Sequence, residues 1–327
     1  MDLKDGLCAA FRGFCDSFRG LKTLVYMDRE LNERTRSRLA QGNQNIRRRS
    51  SSERENHSPI RALKAHEESK VLTRTMHCCL LNFCIFLCSI ICFEYILLPT
   101  INTLLEYIFG NKSLVGNLIW SWIKPCLSWL FKTLWVLPLF VLSKLINSLW
   151  FQDIADTAFR YRRGRPQFTH SISKSISDTI FSILVQILFL VQGMIVEYIP
   201  IYGVGYVLSL VHMCLLYSLY SFEYKWFNMG WELHHRLDFI EMNWPYFIGF
   251  GLPLTLITQF SYIISACIFS TTFPIFIISA NEANPVTIQS VYPLHLFSPS
   301  VKVSNILLRK TIGGKKPPPN VAATPKR

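Results

Sequence analysis

YFIGFGLPLTLITQFSYIISACIFSTTFPIFIISA, residues 246–280, holds no charged side chain in 35 positions. As a single helix it would measure about 52 Å against a hydrocarbon core of roughly 30 Å, too long even with tilt. The run therefore folds back on itself. Gly249, Gly251 and Pro253 weaken helix near its start, Gln259-Phe260-Ser261-Tyr262 offers the turn, and Pro274 marks a further break. Two short or re-entrant segments result, which a bilayer tolerates where freed backbone groups are buried in protein or wet.

Four more apolar stretches lie upstream. Residues 78–98 carry one charge, Glu94; Cys126–Trp150 carries Lys132 and Lys144 near its ends, with Pro138 as an internal kink; Thr179–Tyr202 carries only Glu197; Gly203–Phe222 carries none. Pro200-Ile201-Tyr202-Gly203 joins the last two as a hairpin turn. The chain as a whole is 50% hydrophobic and 17% charged, with a net charge of +13. Ordinary soluble domains carry about 25% charged residues, so this composition excludes a soluble enzyme.

The charges set the topology. Residues 1–77 hold 16 Lys and Arg against 10 acids, Arg160–Asp178 holds five against one, and the tail after Ser300 holds seven against none. Six crossings place all three basic regions on the cytosolic side, whereas five would strand the tail. The expected architecture is all-α: a multi-pass membrane protein of about six transmembrane or partly re-entrant helices with a disordered basic N-terminal segment. Its parts are an interfacial helix over residues 1–30, a basic disordered segment over 31–77, a transmembrane domain over 78–283 and a cytosolic tail over 284–327. The sequon at Asn111 falls in the loop this topology assigns to the lumen, close to the membrane.

No signal-peptide core follows Asp2, Lys4 and Asp5. Instead Leu3, Leu7, Phe11, Phe14, Phe18, Leu21 and Val25 recur on one helical face, with Lys4, Arg12, Arg19 and Lys22 beside it. That pattern suits a helix lying in the headgroups of an anionic leaflet; the alternative is a helix whose apolar face packs on the protein's own bundle. Arg34–Lys64 holds nine basic and two acidic residues around Arg47-Arg48-Arg49-Ser50-Ser51-Ser52. It serves as a positive-inside determinant touching acidic lipid, as a tract for a nuclear-import receptor, or as a phosphorylation switch. Nucleic acid is not a partner, since no binding motif surrounds the tract.

Chemistry-bearing motifs are sparse. Cys84, Cys88 and Cys92 share a helical face as packing residues, and Cys78 and Cys79 at the mouth of the first span are palmitoylation candidates. The cysteines lack CxxC spacing, and HExxH, GxSxG, P-loop and dinucleotide fingerprints are missing too, so no metal, cofactor or catalytic residue is assigned. His234 and His235, with Glu232 and Asp238, have the spacing of a solvated helical face. Asp153 and Asp156 suit an interface helix whose carboxylates meet cations of the following basic loop. The acids Glu94, Glu197 and Glu223 sit near span ends, where water is within reach.

Several ordered blocks resemble the etoposide-induced protein 2.4 family. They are Trp135-Val136-Leu137-Pro138-Leu139-Phe140-Val141-Leu142-Ser143-Lys144 leading into Trp150-Phe151-Gln152-Asp153-Ile154-Ala155-Asp156; Leu216–Tyr220 with Phe222-Glu223-Tyr224-Lys225-Trp226-Phe227-Asn228; Asn243-Trp244-Pro245-Tyr246 with Gly249-Phe250-Gly251-Leu252-Pro253; and Phe273-Pro274 through Asn281-Glu282-Ala283. The resemblance runs over residues 70–310. It implies a multi-pass endoplasmic-reticulum protein needed for autophagy in forming degradative autolysosomes, linked to apoptosis and growth suppression, with both termini cytosolic. It also implies an import receptor for the basic front end and an anti-apoptotic membrane protein as partners. A wider similarity to bacterial sulfate permeases implies anion transport through partly penetrating helices.

Overall fold

The computed structural model describes residues 3–50, 71–109, 114–131, 133–134, 137–164, 172–260, 262–285 and 294–311. Among these the chain is helical, without strands. The 246–280 run folds back as expected: α11 spans Trp244–Ile257 and α12 spans Tyr262–Glu282. At 14 residues α11 is about 21 Å long, short of a full crossing. Ser265 Oγ ties the turn by donating to Thr258 O at 2.6 Å and Phe260 O at 3.0 Å. Pro274 does not end α12. The helix runs through it to Glu282, and Cys79 Sγ donates to Thr271 O at 3.6 Å, beside the carbonyl that proline leaves without its donor.

The other elements, in chain order, are α1 (Leu3–Ser17), α2 (Arg19–Ser50), α3 (Val71–Cys79), α4 (Cys88–Cys92), α5 (Leu98–Phe109), α6 (Leu114–Phe131), α7 (Leu137–Arg163), α8 (Ile172–Glu197), α9 (Val204–Asn228) and α10 (Leu233–Met242), with α13 (Ser298–Thr311) after α12. Two π-helical segments, Leu80–Leu87 and Phe93–Leu97, join α3, α4 and α5 into one long rod. Four helices are long and apolar enough to cross a membrane among the described residues: Val71–Ile108, Ser177–Glu197, Val204–Asn228 and Ile264–Glu282. The chain is a multi-pass, all-α membrane protein.

Of the span expected over Cys126–Trp150, α6 holds the part to Phe131 and α7 the part from Leu137, with residues 132, 135 and 136 outside the described residues. Two expectations change. The first helix outruns its expected end at residue 98, and Glu94 therefore lies exposed along the rod rather than at its tip. Finally, α2 carries helix to Ser50, into the tract expected to be disordered. Pairs one turn apart support it there, Arg29 with Glu33 at 2.9 Å and Arg34 with Glu30 at 2.5 Å. The tail after Ala283 likewise contains α13, docked by Phe297, which stacks on Phe189 at 4.1 Å.

At the centre stands α9, joined to α8 by a turn in which Gly203 has a φ of +74°. Phe222 and Trp226 of α9 interlock with Phe247 and Phe250 of α11; the Phe222 ring lies 4.8 Å from Phe250 and 5.2 Å from Phe247. That interlock needs close backbones. A Cβ on Gly251 would stand 2.7 Å from the Cys214 carbonyl carbon and 2.9 Å from its Cα. Gly251→Val should therefore cost about 1–3 kcal/mol by overpacking, seen as a lower thermal midpoint for the detergent-purified chain. An unchanged midpoint would mean that α9 and α11 do not approach this closely.

Candidate functional site

The front helix has two faces, and the structure seats it by the one that carries little apolar bulk. Gly6, Ala9, Gly13, Asp16, Ser17 and Gly20 are buried, followed by Leu24 and Met27 in α2. Small residues at this three-and-four spacing let backbones meet. A Cβ on Gly13 would lie 2.9 Å from Phe250 N, and one on Gly249 would lie 2.6 Å from the Ala10 carbonyl carbon. The large row points outward: Leu7 is 74% exposed and Phe11 68%, with Phe14, Phe18, Leu21 and Val25 also exposed. Lys4, Arg12, Arg19 and Lys22 are exposed with them. α1 thus packs on the bundle through its small residues, and its large apolar face is left outward.

Polar groups lock the seat. Tyr246 Oη donates to Asp16 Oδ2 at 2.8 Å, and Arg19 Nε pairs with Asp16 Oδ1 at 3.0 Å. The helix breaks at Phe18, between α1 and α2, freeing backbone groups on either side. Ser279 of α12 takes up both, donating to Ser17 O at 2.6 Å and accepting from Gly20 N–H at 2.8 Å. Farther along α2, Asp28 accepts from the N–H groups of Val71 and Leu72 at 2.9 and 2.8 Å, capping α3 and closing the chain excursion between them. Tyr161 Oη donates to Glu30 Oε2 at 2.6 Å, and this bond, with Arg34, holds Glu30 below the usual carboxylate range.

The motif residues converge beneath this seat. Lys225 Nζ donates to Ala280 O at 2.9 Å and Ala283 O at 2.6 Å, placing a cation on the C-terminus of α12. Glu282 pairs with Arg162 at 3.6 Å, and Asn281 Nδ2 donates to Ile277 O at 3.0 Å. Asp156 accepts from Asn228 at 2.9 Å and Gln152 at 3.1 Å, while Asp153 pairs with Arg74. The carboxylates find α9 and α3, while residues 165–171 of the basic loop after α7 lie outside the described residues. Phe151 meets Phe273 edge-on at 5.2 Å.

Glu223 does not reach for water as a span-end acid would. Ser182 Oγ and Gln186 Nε2 donate to it, and Arg236 of α10 lies 3.6 Å away. Burial lowers the pKa of Arg236, with Glu223 opposing the shift. Nearby, Trp226 stacks on Trp231 at 5.7 Å, half-buried Trp244 packs on the core, and Pro245 sits in the first turn of α11 with Gly249, Gly251 and Pro253 behind it. Residues 223–243 are thus only partly a solvated face: His234 is exposed against Glu232, but Arg236 and Glu241 are buried.

Cys78 is buried and Cys79 half-buried with its thiol engaged, which argues against both as acylation sites. No group of three or more His, Cys, Asp or Glu suited to a metal occurs among the described residues. Trp135 and Asn111 lie outside the described residues, and of Arg47, Arg48 and Arg49 only the helical backbone is described. Sequence reasoning misses Gly13, Asp16 and Lys225. The repeat of Gly6, Gly13 and Gly20 every seven residues is the available signal for the first two.

Residues 58–269 match the family described as sulfate transporter CysZ/etoposide-induced protein 2.4. The chain is 32% identical over 232 residues to Protein EI24 homolog of Dictyostelium discoideum, covering 69% of each chain. It is 29% identical over 245 residues to Protein EI24 homolog of Arabidopsis thaliana, covering 66% of this chain and 76% of the plant protein. It is 38% identical over 151 residues to Ectopic P granules protein 4 of Caenorhabditis elegans, a match spanning 46% of this chain and 48% of the worm protein. No solved structure matches.

The Lys225 contact should be worth about 1.5–3 kcal/mol, the range for hydrogen bonds to a charged group. Lys225→Met, which keeps the apolar stem, should lower the unfolding midpoint in detergent accordingly, while Lys22→Met on the exposed face should leave it in place. Equal midpoints for the two variants would show that Lys225 does not secure the end of α12.

Proposed function

The chain belongs to the sulfate transporter CysZ/etoposide-induced protein 2.4 family, and on that premise we propose that it is an endoplasmic-reticulum protein required for autophagy, acting in the formation of degradative autolysosomes. Roles in apoptosis and growth suppression belong to the same proposal, as does a topology with both termini cytosolic. It is not an enzyme in this account; it shapes or tethers membrane through its cytosolic surface. The observation that carries this is the outward row Leu7, Phe11, Phe14 and Phe18, exposed beside Lys4, Arg12 and Arg19 while the opposite face of α1 is locked to α11. Apolar side chains flanked by cations suit an anionic lipid surface, where burial and electrostatic attraction add.

The basic tract with Arg47, Arg48 and Arg49 is the proposed contact for an import receptor, and an anti-apoptotic membrane protein is the proposed second partner. The name of the worm relative, Ectopic P granules protein 4, concerns granules out of place, which fits a part in clearing cytoplasmic material.

Anion transport is the second proposal, favoured by the short fold-back of α11 and α12 and by the sulfate transporter in the family description. It ranks behind because the buried cations Lys225 and Arg236 are already held by carbonyls of Ala280, Ala283 and Trp231. Sulfate flux into proteoliposomes above that of empty vesicles would reverse the order.

Cells lacking the chain should accumulate undegraded autophagic cargo, and the wild-type chain should restore clearance. The variant Phe11→Ser, Phe14→Ser, Phe18→Ser should insert normally but fail to restore it. Normal clearance without the chain would overturn the autophagy role, and full rescue by the triple variant would overturn the part given to α1.

A further inference from the structure

We propose that Cys8 and Cys15 of α1 are sites of reversible fatty acylation. Both are exposed, and they stand seven residues apart on one side of a helix that runs unbroken from Leu3 to Ser17. At about 100° per residue along α1, Cys8 and Cys15 lie about 100° and 80° round from Leu7, with Phe11 and Lys4 at about 40° and 60° on one side of them and Arg12 at about 140° on the other. The thiols therefore line the border of the outward apolar row, between the cations Lys4 and Arg12. On a helix resting on a membrane that border is the interface itself, where a thiol meets an activated acyl chain while the product lies along the apolar side.

The seat keeps them there. Gly13 is pressed to Tyr246 and Phe250, and Asp16 is bonded to Tyr246 and Arg19, so α1 cannot roll its cysteines inward without breaking those contacts. The remaining described cysteines differ. Cys78, Cys214 and Cys267 are buried, and Cys79 is half-buried and bonded. Cys88 and Cys92 are exposed, but along a helical rod with no cation between Arg74 and Phe109, at hydrocarbon depth. Cys126 is exposed on α6, and its nearest cation, Lys124, projects about 200° round that helix.

The chemistry is acyl transfer from a long-chain acyl-coenzyme A, delivered by a membrane acyltransferase. The cysteine sulfur attacks the thioester carbonyl carbon and forms a new carbon–sulfur bond. The bond to coenzyme A breaks, and the departing thiol takes the proton lost from cysteine; nothing is oxidised or reduced. A chain added to an amphipathic helix supplies a second membrane signal that hydrolysis removes.

The proposal rests on the membrane-surface reading of α1, but it does not depend on autophagy. The test is acyl exchange on full-length chain from cells: free thiols are blocked, thioesters are cleaved with hydroxylamine, and each released thiol receives a polymer tag that adds one increment on a gel. The wild type should show increments that require hydroxylamine; Cys8→Ser, Cys15→Ser should lose one or both, while Cys88→Ser, Cys92→Ser should lose none. Carbonate-resistant membrane recovery of each variant checks insertion. A wild type without increments, or a Cys8→Ser, Cys15→Ser pattern identical to wild type, overturns the proposal, whatever the cargo-clearance result.

Discussion

The approach of two helices to opposite sides of α11 is the constraint on which the rest of the structure depends. Gly249 and Gly251 are two residues apart, about 200° round the helix, so one faces the Ala10 carbonyl of α1 and the other the Cys214 carbonyl of α9. In a bilayer, lipid is as apolar as a side chain, and helices associate through close packing and interhelical hydrogen bonds. Both operate here. The near approach lets Tyr246 reach Asp16 and lets Ser218 Oγ reach Phe247 O at 2.6 Å. With side chains at the two glycines the backbones would stand apart, and Asp16, fully buried, would lose its phenol partner.

The polar groups under this packing obey a second rule: where a charge is buried or half-buried, a complementary group from another element meets it. Lys225 is taken by the carbonyl end of α12, Glu223 by a hydroxyl, an amide and a guanidinium, and Asp28 by the amide end of α3. Asn82 and Asn147, both buried, exchange amide hydrogen bonds of 3.1 and 3.0 Å between the long rod and α7. Each link joins separate elements, which is why the apolar helices do not slide freely on one another. The links gather motif residues from α7, α9, α11 and α12, so the family signature is mainly the record of this packing.

Legibility in the sequence follows the strength of local signals. The fold-back of residues 246–280 is readable because length alone forbids one straight helix, and the turn falls between Ile257 and Tyr262, where Gln259–Tyr262 supplies turn-forming residues. The Gly203 turn is readable for a similar reason. Prolines are less informative: Pro274 reads as a break, yet α12 runs through it to Glu282. Cys79 Sγ reaches Thr271 O, one residue from the Ser270 carbonyl that Pro274 frees. The partners of Asp153 and Asp156 are unreadable because Arg74 and Asn228 come from elements far away in the chain.

The front helix shows why periodicity alone stops short in such a protein. In water, an apolar stripe on a helix marks the buried face, because burial removes it from solvent. Beside a membrane the outside is apolar as well, and the criterion shifts from hydrophobicity to size. Glycine and alanine then mark the protein-facing side, and phenylalanine and leucine the outward one, as in α1. A helix anchored this way presents its aromatic row already ordered, so engaging a lipid surface requires no coil-to-helix transition and loses little further conformational entropy. The cations and thiols along its border keep fixed positions for the same reason, which makes the seat of α1, rather than the apolar stripe by itself, the feature that decides what this surface can bind.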